Sequence, residues 1–136
     1  MKLLCVGGNG HYAGLITRHL AEKHDLTVLD VNAAPCDFKC TQVIGSVLKR
    51  DDIERAAAGA DAIVTFFFGD AELSTMGMAN VMTVAERLGI RHVVYTSSGG
   101  MSYPTQESIA GDEATGAKRL PETFWRDYFP IREEAG

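Results

Sequence analysis

The 136-residue chain predicts an α/β domain built on one parallel, doubly wound sheet of about five strands with flanking helices. Three observations carry this expectation. Apolar runs and amphipathic segments alternate from Lys2 to Thr96, the order that lays right-handed crossovers onto a parallel sheet. The runs are short and mostly continuous in apolar character, as strands covered on both faces are. The first run meets the first amphipathic segment in Val6-Gly7-Gly8-Asn9-Gly10-His11-Tyr12-Ala13-Gly14, where glycines permit a tight turn from strand to helix. At this length one domain with a real core is expected, its ordered part spanning residues 1–104, with 105–136 an irregular carboxyl-terminal segment of the same domain.

Lys2 to Val6 is the first strand. From Ala13 to Lys23, Leu15, Ile16, His19 and Leu20 recur at helical spacing while Arg18, Glu22 and Lys23 take the other face, which predicts a helix with the former set inward. Leu26 to Asp30 is the second strand, Ala34 to Thr41 a loop, and Gln42 to Gly45 a short third strand. Asp51 followed by Glu54 reads as a reciprocal helix cap, with Ile53, Ala56 and Ala57 inward and Gly59 ending the helix. Ala62 to Phe68 is the fourth strand. At least two of its three phenylalanines are expected in the core, and those at its carboxyl end are also candidates for the wall of a base site. Ala71 to Leu88 predicts one long helix with Met78, Val81, Met82, Ala85 and Leu88 on one side, Met76 and Val84 on another, and Gly89 as its stop. Arg91 to Thr96 is the fifth strand and delivers Thr96, Ser97 and Ser98 to the sheet's carboxyl edge. Beyond Met101 the pattern decays and no further strand is expected.

A formal charge of −5 with no basic stripe argues against a nucleic-acid partner. No apolar run approaches membrane-spanning length, so no membrane partner is expected. Three cysteines, Cys5, Cys36 and Cys40, are an odd number without an export signal, which suits free thiols in a reducing, cytoplasmic compartment. A structural zinc needs four ligands, and His11, His19, His24 and His92 show no paired spacing with Cys36 and Cys40.

The glycines at 7, 10 and 14 come close to the dinucleotide fingerprint, one residue longer at the last interval, with Ala13 standing where a third small residue is needed. Amides opening the helix would face an anion, and a pyrophosphate fits there. Asp30 ends the second strand about twenty residues beyond Gly10, where an acid accepts hydrogen bonds from both hydroxyls of an adenine ribose. The same carboxylate repels a 2′-phosphate, and Val31-Asn32-Ala33 offers no arginine to receive one. NAD is therefore expected over NADP. The plainer alternative makes Asp30 a turn residue.

Taken together, these residues resemble the extended short-chain dehydrogenases, the NAD-dependent epimerase/dehydratase family, with its Rossmann-like fold. Gly7-Gly8-Asn9-Gly10 is similar to that family's glycine motif, and Ala60-Asp61-Ala62-Ile63-Val64 to its fourth-strand entry. Asn80-Val81 with Ala85-Glu86-Arg87 resembles its long helix, and Val93-Val94-Tyr95-Thr96-Ser97-Ser98 its serine strand. The resemblance, over residues 1 to 104, implies a cofactor site of Gly7, Gly10, His11, Tyr12, Asp30, Ser46, Val47, Phe66, Phe67, Thr96 and Ser97. It further implies a substrate hydrogen bond from Ser98, a sugar or small hydroxy/keto substrate, and a homodimer through the helix 71–88. Without a base in sight, Ser97 and Ser98 read equally well as turn-formers.

Three departures stand against the family pattern. Ser46-Val47 occupies the place of an aspartate-aliphatic pair that meets the adenine amino group, and His11 sits in a lengthened loop. The family's Tyr-x-x-x-Lys acid/base pair is missing: Tyr12, Tyr95, Tyr103 and Tyr128 have no lysine four residues on, and Lys118 is preceded there by Ala114. Because Pro130-Ile131-Arg132-Glu133-Glu134 resembles the segment before that tyrosine, the expectation is the cofactor-binding portion of such an enzyme, inactive by itself. The competing expectation is a complete, non-catalytic NAD-binding module that senses redox state or regulates a partner. A doubly wound domain without any nucleotide is the third.

Overall fold

Continuous apolar stretches produce five strands that pair in parallel in the order β3-β2-β1-β4-β5. The computed structural model describes residues 1–34, 37–67 and 71–96. In chain order the elements are β1 (Lys2–Val6), α1 (His11–Ala21), β2 (Asp25–Asp30), β3 (Thr41–Ile44), α2 (Arg50–Ala57) and β4 (Ala62–Thr65). A π-helical turn (Leu73–Gly77), α3 (Met78–Leu88) and β5 (His92–Tyr95) follow. β1 lies at the centre, with Lys2 opposite Asp25 of β2 and Leu3 opposite Ala62 of β4.

Because successive side chains of a strand point to opposite faces, β1 divides its residues between two core layers. Leu4 and Val6 join Leu29, Ile53, Ile63, Val81 and Val84 on the side of α2 and α3. Leu3 and Cys5 join Leu26, Val28 and Ala62 on the side of α1. Each fully buried Leu, Ile or Val contributes about 1.5–3 kcal/mol, so both faces favour the fold over an edge-exposed sheet. Phe67 packs against the first layer and Phe66 against the second; Phe68 lies outside the described residues, as does the boundary expected near residue 104.

Two helices turn differently from their expected phase. α1 begins at His11 rather than Ala13, and its inner face is Ala13 and Thr17, whereas Leu15 is 66% and Ile16 46% exposed and His19 faces solvent. The cause is how close the chain runs to the sheet. A Cβ on Gly8 would stand 2.9 Å from Val28 Cγ1 and 3.2 Å from Thr17 Cγ2, leaving room only for small side chains between α1 and β1–β2. The buried Thr17 hydroxyl donates to the Ala13 carbonyl at 2.9 Å.

The helix expected over Ala71 to Leu88 is interrupted by the π-helical turn. One extra residue per turn rotates everything after it, so α3 buries Asn80, Val81, Val84 and Ala85. Met82 and Leu88, expected inward, are about half exposed. Gly89, with φ +69°, ends α3 as expected.

The cap predicted at Asp51 is absent. α2 starts two residues earlier, with Lys49 in the cap position and no side-chain cap, and Asp51 and Asp52 sit in its first turn, where carboxylates suit the helix dipole. Asp52 Oδ2 instead accepts the Ser46 N–H at 2.9 Å, and Glu54 pairs with Arg87 of α3 at 2.5 Å. Among the described residues no helix is long and apolar enough to cross a membrane, and no cluster of His, Cys, Asp and Glu could hold a metal ion.

Candidate functional site

From β1 the chain winds through β2 to β3 on one side, then returns past β1 to β4 and β5 on the other. In such sheets ligands bind outside the carboxyl ends of the strands, where the winding reverses. The residues at that edge are the glycine loop after β1, the end of β2, the turn after β3 and the residues after β4.

Gly7 turns the chain with φ +73°, a conformation that costs other residues about 1–2 kcal/mol, and its N–H donates to the Leu29 carbonyl at 2.7 Å. Gly10 is the residue before α1, so the first amides of the helix are left without intrahelical acceptors beside the loop. Asn9 ties this loop to the end of β2. Its N–H donates to Asp30 Oδ2 at 3.1 Å, and its side-chain amide donates to the Asn32 carbonyl at 2.7 Å and to Gln42 Oε1 at 3.2 Å. Asp30 Oδ1 accepts the Asn32 N–H at 3.2 Å. A carboxylate has about four lone-pair sites, so two remain for a ligand.

Between the glycine loop and the turn after β3 lies a cavity of about 140 Å³. Asp30 and Ser46 supply its polar side chains; Leu29, Val47, Phe67 and Leu73 supply apolar walls, and Gly7 part of the rim. The Ser46 amide, against the opposing effect of burial and with help from Arg55, holds the Asp52 carboxyl below the usual carboxylate range. Asp52 thus stays an anion beneath the Ser46 turn at neutral pH. On the α1 side of β1, burial and the neighbouring Cys40 push the Cys5 thiol up to about 12, which leaves it protonated and unsuited to nucleophilic work.

Of the residues singled out from sequence, Gly7, Asp30, Ser46, Val47 and Phe67 meet at this cavity. His11 lines a different hollow, between α1 and residues 37–38. Tyr12 is exposed and stands edge-on to His11, ring centres 5.4 Å apart. Phe66 packs on the α1 side of the sheet. The Thr96 hydroxyl donates to the Thr65 carbonyl at the end of β4, and Ser97 and Ser98 lie outside the described residues. Sequence reasoning passed over Asn9, Gln42 and Leu73. Asn9 was legible as the one polar side chain inside the glycine run, whereas nothing local in the sequence marks Gln42, or Leu73 on the π-helical turn.

A parallel sheet with a glycine turn and an acid at neighbouring strand ends, both at the reversal of winding, defines the dinucleotide-binding class of doubly wound domains. The chain belongs to the NAD(P)H-binding family, whose model matches residues 7–129. It is 26% identical over 131 residues to a 3-beta-hydroxysteroid dehydrogenase of Mycolicibacterium neoaurum, an alignment spanning 82% of this chain and 36% of that protein. Among solved structures it is similar to the UDP-glucose 4-epimerase of Thermus thermophilus in complex with NAD, with TM-score 0.71, 17% identity, and coverage of 98% of this chain and 49% of that one. Uronate dehydrogenase from Agrobacterium tumefaciens gives TM-score 0.65 and 21% identity over 80% of this chain and 47% of that one. The chain thus spans about a third of the curated relative and about half of these solved chains. The family and these neighbours agree with the resemblance to extended short-chain dehydrogenases and epimerases.

Proposed function

We propose that this chain is the NAD-binding portion of an oxidoreductase of the dehydrogenase/epimerase kind, with NAD favoured over NADP and a sugar or small hydroxy/keto compound as substrate. The observation that carries the reading is the meeting of the glycine loop, the Asp30 carboxylate and an apolar-walled cavity at one edge of the sheet. The donor set fits the cofactor. Gly7 to Gly10 and the opening amides of α1 would hold the pyrophosphate, Asp30 would accept from the ribose hydroxyls with its two remaining lone-pair sites, and the Leu29, Val47 and Phe67 walls would take the base. Bound there, the dinucleotide supplies a hydride donor or acceptor. The chain's own part is to bind, orient and exclude water; the roles assigned from sequence to Thr96 and Ser97 in cofactor binding and to Ser98 in a substrate hydrogen bond are part of this proposal.

Asp30 sets the cofactor preference, because a 2′-phosphate beside it would bring like charges together. Calorimetric titration with NAD and NADP, using Asp30→Ala as the partner experiment, tests this. Saturable binding that favours NAD, weakened about 10-fold or more by the substitution as loss of a charged hydrogen-bond acceptor implies, is the expected result. Absence of binding at millimolar NAD would refute it.

The alternative reading is that the chain binds NAD and serves as a regulatory or redox-sensing module. A homodimer through the helix 71–88 and a cytoplasmic location complete the proposal.

A further inference from the structure

The turn that closes the base side of the cavity, residues 45–48, is held in part by two side chains that do not line that cavity, Asp52 and Asn80. Every buried backbone donor and acceptor needs a partner, and here the partners can be followed one by one. The Ser46 N–H goes to Asp52 Oδ2 at 2.9 Å, and the Ser46 carbonyl accepts the Lys49 N–H at 3.0 Å. The Leu48 N–H goes to Ser46 Oγ at 3.2 Å, and the Val47 carbonyl accepts from Asn80 Nδ2 at 2.9 Å. Among the described residues the Val47 N–H is the one backbone donor from Ser46 to Leu48 without a partner, and Val47 forms part of the cavity wall.

Asn80 is buried on α3, and its amide can sit only one way round. Arg50 Nε donates to Asn80 Oδ1 at 2.9 Å, and a guanidinium has no acceptor, so Nδ2 is the atom turned to the Val47 carbonyl. Packing closes the same contact from the side: a Cβ on Gly77 would stand 2.8 Å from Val47 Cγ2.

We propose that Asn80, oriented by Arg50, is a positioning residue for the dinucleotide site: it fixes the Ser46–Leu48 turn through the Val47 carbonyl and so keeps the Val47 N–H available to the bound base. This inference rests on the cofactor reading above. Without Asn80 the Val47 carbonyl loses its partner, the turn gains freedom, and a ligand must order it again on binding.

The test is calorimetric titration of the full chain with NAD and with ADP, for wild type, Asn80→Ala, Arg50→Gln and Val84→Ala. Val84 is fully buried on the same helix and makes no hydrogen bond to the turn, so its substitution reports what a purely structural loss does. Ordering one turn on binding predicts a Kd increase of about tenfold for both ligands with Asn80→Ala and about threefold with the surface variant Arg50→Gln. Val84→Ala should lower the melting temperature at least as much and leave Kd within about twofold. Should Asn80→Ala fail to fold, Arg50→Gln decides alone. Unchanged affinity in Asn80→Ala and Arg50→Gln, or equal weakening in Val84→Ala, would overturn the role of Asn80 while leaving the cofactor site standing. Absence of binding by wild type would remove the cofactor reading and this role with it.

Discussion

Alanine placed separately at Gly7, Gly8 and Gly14 should give three different outcomes from one short stretch of chain. At Gly7 the new Cβ has ordinary room, its nearest neighbour Phe67 N at 3.5 Å, so the cost is that of holding alanine at φ +73°, about 1–2 kcal/mol. At Gly8 it would stand 2.9 Å from Val28 Cγ1 and 3.2 Å from both Cys5 Cβ and Thr17 Cγ2. All three neighbours are buried, so something must shift, at about 1–3 kcal/mol. At Gly14, inside α1, nothing lies within 4 Å, and alanine should stabilise by about 0.5–1 kcal/mol through better helix propensity. Urea unfolding with an unchanged slope measures all three. Adding Val28→Ala to Gly8→Ala removes the closest atom, so the double variant should lose less than the sum of the singles by about 0.5 kcal/mol or more. A destabilising Gly14→Ala, or a Gly8→Ala cost that Val28→Ala leaves untouched, would refute the packing of α1 on the sheet described above.

Two predictions concern pH. The Cys5 thiol is raised to about 12 in the folded chain, so its contribution is fully present below the unfolded thiol's pKa near 9. It is lost between about pH 9 and 12 at about 1.4 kcal/mol per unit, a slope that Cys5→Ala should remove from stepwise urea titrations. Asp52 is held below its ordinary value by the Ser46 amide. Its contribution is therefore present above about pH 4 and lost as pH falls through the folded value, and Asp52→Asn should flatten this acid limb when unfolding is followed by circular dichroism.

The five strands were legible because apolar run length and bounding glycines are local properties. So was the meeting of Gly7, Asp30, Ser46 and Val47, since strand ends gather at one edge once the sheet is parallel. Helix phase was not local. Leu15 and Ile16 follow the helical period, yet which stripe faces inward was decided by the contact of Gly8 with Val28 and Thr17, far apart in sequence. The π-helical turn then displaced the expected face of α3, burying Val84 in place of Met82. Asp51 and Glu54 match a capping pattern, but Asp52 was already drawn to the Ser46 amide, a partner no helix-start rule considers. Asn80 was visible as part of a family-like helix, and its hydrogen bond to Val47 was not.

The central position of β1 fixes when the molecule can be finished. Its five residues precede the other four strands in the chain, and their two neighbours, β2 at Asp25–Asp30 and β4 at Ala62–Thr65, emerge at very different times during synthesis. Pairing with β2 closes a short loop, but the other edge of β1 stays open until some sixty residues have been added, and that longer closure is a slower step. A nascent chain therefore passes through a stage with β1 and β2 joined and one flank of the sheet unpaired, the kind of exposed edge that invites association with other chains. Phe67 and Leu73, which wall the cavity, arrive with and after β4. A dinucleotide added during refolding should thus slow unfolding more than it speeds early pairing, because two of the walls it needs, Phe67 and Leu73, are not in place until β4 has been added.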